Sequence, residues 1–175
     1  MKNNHFILVL LGISLGLLLQ GCAQQDRSQE LKQLVMKFQQ AYDSHDAAAL
    51  AQLYTEDAVY VVSGEPEPLR GRKAIEGSYV VFFRAFPDLT VKFTNIFTSG
   101  DQFCTEFIVN GTHTGPLASP EGDIPPTGRS VQFKGAFFGK VTPEGLVAED
   151  RTYYDTASFM NQLGLSEKPE EMSNK

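Results

Sequence analysis

The chain has 175 residues, 42% hydrophobic and 21% charged, a balance that excludes a largely disordered protein and suits one domain. Its formal net charge of −6 offers no broad positive surface to phosphate backbones, which argues against nucleic acid as a partner. Thirteen Phe and six Tyr, without Trp, supply an aromatic core, whereas two Cys cannot build a disulfide framework.

Lys2 precedes the apolar run Phe6 to Leu19, which Gly12, Ser14 and Gly16 interrupt. A spanning helix needs about 20 apolar residues, so the shorter run reads as a secretory signal. It closes on Leu19-Gln20-Gly21-Cys22, which resembles the lipobox of bacterial lipoproteins, where the signal is cut before Cys and the thiol is lipidated. The resemblance implies a signal peptide over 1–21, a membrane anchor at lipidated Cys22 and a tether over 22–28. Ala23 after the cysteine implies a place in the bacterial cell envelope, on the outer membrane facing the periplasm.

Leu31, Leu34, Val35, Phe38 and Tyr42 recur at helical spacing and predict a helix from about Ser28 to Ser44. Asp46 is placed to cap a second, short helix through Tyr54, with Ala47, Leu50, Leu53 and Tyr54 as its buried members. Ala58 to Val62 is β-branched and aromatic and reads as a strand; Ser63 to Pro68 is a loop. A third helix starts at Arg72, carries Ile75, Tyr79, Phe82, Phe83 and Phe86, and stops at Pro87. Strands follow at Leu89–Thr98 and Gln102–Thr112, then a Gly- and Pro-rich loop from Gly115 to Gly128. Strands Val131–Val141 and Gly145–Tyr154 form a hairpin, and a last short helix, Thr156–Leu163, ends at Gly164. The tail over 166–175 is polar and expected to be mobile. Helices first and strands afterwards argue an α+β domain over 29–165, a curved and mostly antiparallel sheet on about three N-terminal helices. A pocket for a small molecule is expected at the wide end of such a sheet.

Four phrases in the second half carry a resemblance: Phe86-Pro87-Asp88-Leu89, Gly111-Thr112-His113-Thr114-Gly115, Ile124-Pro125-Pro126-Thr127-Gly128-Arg129, and Tyr153-Tyr154-Asp155 followed by Gln162-Leu163-Gly164. Their order and spacing look like the SnoaL-like polyketide cyclase (ester cyclase) family of the nuclear transport factor two-like superfamily. The likeness spans about Leu31 to Leu165. It implies a cone-shaped domain, usually a homodimer, whose cavity lies between the helices and the concave face of the sheet. It also implies aldol-type ring closure without metal or organic cofactor, by a carboxylate in the last long strand and a His in the strand before it. The acid's position falls on Thr152 and the helper His in the Phe138-Gly139 region. Threonine cannot act as a general base near neutral pH, so the family's mechanism does not carry over unchanged.

Other groups remain for chemistry. By the two-residue period Asp150, Thr152 and Tyr154 share one face of the last strand. Asp150 then either takes over as the base, with Tyr154 as hydrogen-bond donor, or lies solvated or ion-paired at the rim. His113 either moves protons or holds the neighbouring loop by a hydrogen bond. Phe138 is expected in the pocket wall, Cys104 as a buried small hydrophobe and His45 as exposed, while His5 leaves with the leader. Arg70, Arg72 and Lys73 read as a solvated basic face. Three His without a cluster and one free Cys make no zinc set, and Glu121 and Asp123 lack the spacing of a calcium loop, so no metal or cofactor is expected. Two functions stand. The first is a lipid-anchored module binding a small hydrophobic, carbonyl-bearing ligand; the second is a cofactor-free cyclase, isomerase or hydrolase using Asp150 and His113.

Overall fold

A computed structural model describes residues 25–119 and 122–165. The signal peptide over 1–21, the lipidation site Cys22, Glu121 and the tail over 166–175 lie outside the described residues.

Helix α1 spans residues 25–43, so the tether expected up to residue 28 is helical from 25 onward. Leu31, Leu34, Val35 and Phe38 of its apolar stripe are buried as the spacing predicts, whereas Tyr42 is half-buried and Ala41 completes the buried face. The connector that follows is tighter than its polar sequence suggests. His45 takes a positive φ of 51°, its Nε2 lies 2.7 Å from the Leu89 carbonyl, and its ring rests on Phe83 at 4.9 Å. It is therefore a half-buried clasp and not an exposed residue. Asp46 caps α2 (Ala47–Gln52) by accepting from the Ala49 amide. That helix ends before Tyr54, which opens strand β1 (Tyr54–Val62) instead of closing the helix.

The short β2 (Leu69–Arg70) pairs with β1 and leads into α3 (Arg72–Ala85). Strands β3 (Thr90–Ser99), β4 (Gln102–Thr112), β5 (Ser130–Val141) and β6 (Val147–Tyr154) follow, and α4 (Thr156–Leu163) ends the domain. The sheet order is β2-β1-β6-β5-β4-β3, antiparallel except for the parallel pair of β1 and β6. This is the expected mostly antiparallel α+β architecture, with helices on the concave face.

Alternation decides what that face carries. Phe103, Phe107 and Val109 of β4 and Val131, Phe133 and Phe137 of β5 point inward and are buried. Gly135 and Gly139 lie in the same inward row, and a side chain there would overlap the Phe107 and Phe103 rings. The glycines thus let these rings lie flat against the neighbouring strand. Phe38 of α1 meets Tyr54 and Phe137 edge-on at 5.5 and 5.2 Å, a favoured ring geometry that joins helix to sheet. At the other end α4, capped by Asp155 and closed by Gly164 at φ 73°, sets Phe159 among Phe86, Phe133 and Tyr154.

Two expectations about single side chains fail on the same alternation. Phe138 is 44% exposed on the outer face, edge-on to Tyr153, so it does not line the interior; Phe137 does. Cys104, between Phe97 and Phe138 in the ladder, is half-buried on that outer face and not a core residue.

Candidate functional site

Asp150 sits inside the cone. Its position depends on an irregularity in β6, because the pairing moves from Lys140↔Glu149 to Val141↔Val147. The extra residue turns the strand, so that Val147 and Asp150, on opposite parities, both face inward. From Asp150 onward the expected alternation holds: Thr152 and Tyr154 follow on the inner side while Arg151 and Tyr153 face out.

The carboxyl is 1% exposed and is held by two hydroxyls. Tyr54 donates to Oδ2 at 2.5 Å, and Thr152 donates to Oδ1 at 3.1 Å. Tyr54 has a single hydroxyl proton, directed at Asp150. Its 2.8 Å bond with Tyr79 must then be donated by Tyr79 while the carboxylate is ionised. Tyr60, opposite Asp150 in the parallel ladder, stacks on Tyr79 at 6.3 Å, and Tyr42 meets Tyr79 edge-on at 5.8 Å. Among the described residues no basic group forms an ion pair with Asp150. The rim-solvated or ion-paired arrangement is excluded.

Burial pushes the Asp150 carboxyl from its ordinary 3.8 up to about 8, against the lowering pull of the Tyr54 and Thr152 hydroxyls. At pH 7 the group therefore holds its proton. Tyr54, Tyr60 and Tyr79 are pushed up chiefly by burial, with the neighbouring charge of Asp150 adding to it. The result is a polar, proton-holding cluster inside an aromatic shell.

His113 is elsewhere. Thr112 pairs with Ser130 at one end of β5 and Asp150 with Gly139 towards the other. At about 3.3 Å per residue the stretch from Ser130 to Gly139 covers roughly 30 Å, so the two side chains cannot share a proton. The proposed pairing of Asp150 with His113 fails on distance. His113 is fully buried against Phe86, and its backbone exchanges bonds with Arg129 and Gly128. The Thr127 amide donates to Nδ1 at 3.3 Å, which leaves the ring proton on Nε2. Burial lowers its pKa below the ordinary 6.5. These bonds fasten the loop that follows β4 to the start of β5.

Tyr154 is half-buried between Phe133 and Phe159, at 4.9 and 6.0 Å, and makes no bond to Asp150. The donor is Tyr54, which the apolar spacing places at the end of α2 and the structure places at the start of β1. Aromatic rings of Tyr54, Tyr60 and Tyr79 pack around the carboxyl. Surface depressions of about 370 Å³ (Asp88, Thr112, Ser130, Gln162) and about 420 Å³ (Arg27, Asp101, Pro143) lie apart from Asp150. Among the described residues no three His, Cys, Asp or Glu side chains are grouped to hold a metal ion.

Comparison with known proteins agrees with this architecture. The SnoaL-like polyketide cyclase family matches residues 32–163. No curated protein matches the sequence. Among solved structures, IdmH of Streptomyces antibioticus, described as a candidate polyketide cyclase, is 27% identical at a TM-score of 0.62, over 76% of this chain and 97% of its own. A candidate SnoaL-like polyketide cyclase from Jannaschia sp. CCS1 is 20% identical at 0.65, over 78% and 94%. AclR of Streptomyces galilaeus, described as a candidate hydroxylase, is 19% identical at 0.66, over 82% and 99%. The match over most of the chain, together with the helices in the concave sheet, places this protein in the SnoaL-like polyketide cyclase family.

Proposed function

We propose that the domain binds a small hydrophobic, carbonyl-bearing ligand inside the cone, with Asp150, Tyr54 and Thr152 as its polar end. The observation that carries this reading is the carboxyl itself. A carboxyl buried under tyrosine hydroxyls without a basic partner among the described residues destabilises a fold, and such groups cluster at functional sites. In its protonated form Asp150 can donate to a carbonyl oxygen while the surrounding rings exclude water. Thr152, in the place of the family's acid, adjusts to either state because its hydroxyl both donates and accepts. Thr152 and Tyr154 continue the inner face from Asp150 towards Phe159, so the ligand's apolar body is taken to displace side chains along that line.

A second reading is favoured by the complete burial of the Asp150 carboxyl among hydroxyls, which pushes it up to about 8. An acid that titrates near working pH can remove a proton from carbon beside a carbonyl and return it elsewhere, the role of a cofactor-free isomerase or cyclase. Asp150 would carry that step without His113.

The finer context belongs to the same proposal. Cys22 anchors the protein in the cell envelope, on the outer membrane facing the periplasm. The outer sheet face, where Phe97 is 62%, Phe138 44% and Tyr153 48% exposed, serves as the contact with a second copy.

Native mass spectrometry of the protein purified from its host tests the binding reading. The expected result is a retained small molecule that Asp150→Asn still holds, since the amide keeps a donor. Protein that is empty, and that is not stabilised by any of a panel of apolar ketones, contradicts it. Turnover of the retained compound that Asp150→Asn abolishes selects the enzyme reading.

A further inference from the structure

Tyr54 is held at both of its ends by one helix. At the main chain, Arg72 donates from Nε and Nη2 to the Tyr54 carbonyl at 3.0 and 2.6 Å. Its Nη1 is turned to Glu56 at 2.5 Å. This happens where the ladder with β6 breaks, between Tyr54↔Val147 and Val59↔Glu149. At the side-chain end, the Tyr79 and Tyr54 hydroxyls are hydrogen-bonded at 2.8 Å, with Tyr79 donating while the carboxylate is ionised. Arg72 and Tyr79 lie about two turns apart on α3, hence on one face of it. The start of α3 is itself pinned, since the Gly71 amide donates to the Ala58 carbonyl at 2.8 Å. The Arg72 side chain is only 18% exposed, so it is part of the fold and not the solvated face that its basic neighbours suggest.

We infer that Arg72 and Tyr79 are positioning residues: α3 clamps Tyr54 by its carbonyl and its hydroxyl, and so sets the Tyr54–Asp150 hydrogen bond from two residues that do not touch Asp150. This rests on Asp150 being the group that meets the ligand. Geometry requires the clamp. A 2.5 Å hydroxyl–carboxyl bond tolerates little misplacement, and Tyr54 stands at a ladder break, where the sheet alone fixes its main chain least. With the carboxylate ionised the Tyr79→Tyr54→Asp150 chain runs one way, so each bond polarises the next. Tyr42 of α1, Tyr60 of β1 and Thr152 of β6 are the other hydroxyl groups around the carboxyl, and none of them holds Tyr54 by both ends.

The test is a double-mutant cycle read on the 13C titration of the Asp150 carboxyl in ligand-free protein. Tyr54→Phe removes the donor and raises the midpoint. Arg72→Lys, which keeps charge but not the two-pronged grip, and Tyr79→Phe, which removes one oxygen, are each expected to raise it by about half a unit to one unit. In the Tyr54→Phe background neither should move it further. Equal shifts with and without the Tyr54 hydroxyl, or no shift in the single variants, overturn the clamp. Tyr79→Phe carries the test alone if the Arg72 variant does not fold. Because no ligand is present, the clamp can fail while the ligand site stands, and the reverse.

Discussion

Replacing Asp150 by Asn should make the protein more stable, and increasingly so as pH rises. The unfolded chain carries Asp150 with its ordinary pKa of 3.8, whereas the fold raises it to about 8. Between these values the folded state binds more protons than the unfolded state, so stability falls with rising pH. The cost at pH 7 is about 4 kcal/mol, from about 1.4 kcal/mol for each pH unit above 3.8. Asparagine has the same shape, stays neutral and can still accept from Tyr54. The stability difference between variant and wild type should therefore grow by about 1.4 kcal/mol per unit from pH 5 to 7 and level off above 8. Urea unfolding at one-unit steps from pH 5 to 9 measures it, and subtracting the two proteins cancels every group they share. Parallel curves, or a variant that loses stability relative to wild type as pH rises, would refute the reasoning.

Other parts of the account give separate expectations. His113, whose pKa is lowered in the fold, has the opposite sign: its contribution is complete above about 6.5 and is lost as pH falls. His113→Gln should cost about 1–3 kcal/mol at neutral pH, flatten the acid limb of the stability profile and speed amide exchange in the Thr127 region. Phe159→Ala should cost about 3–5 kcal/mol in a thermal or urea melt, because Phe86, Phe133 and Tyr154 would face a cavity. Phe138→Glu should leave stability within about 1 kcal/mol and, on the proposed contact with a second copy, give a monomer where the wild type sediments as a dimer in analytical ultracentrifugation. Cys22→Ser should release the protein from membranes, as read by fractionation.

Most of the architecture was legible because its signals are periodic. The α1 stripe, the Pro87 stop, the Gly145 hairpin and the Gly164 cap each have a local physical cause and appear where the sequence puts them. The errors cluster where periodicity is broken by tertiary contacts. Tyr54 continues the apolar pattern of α2, yet it joins the sheet because the Leu53 carbonyl accepts from Val147 and Arg72 takes the Tyr54 carbonyl. Phe138 could have been placed correctly, since it shares parity with Gln132, Lys134 and Lys140, all exposed, whereas Phe133 and Phe137 alternate with them. Asp150 was identified as a candidate, but its burial depends on the shift of pairing near Ala148, which a strict two-residue period cannot express. The loop beside His113 hid the distance to Asp150, because nothing local states which end of β5 each residue adjoins.

The most direct test is the 13C titration of the Asp150 carboxyl in the folded, ligand-free protein. A midpoint near 8 is the result this account predicts, and it would establish a buried acid that is protonated at neutral pH and ready to meet a carbonyl oxygen. A midpoint near the ordinary 3.8 would contradict it, since the carboxyl would then be solvated or charge-paired and the interior could not be the proposed site.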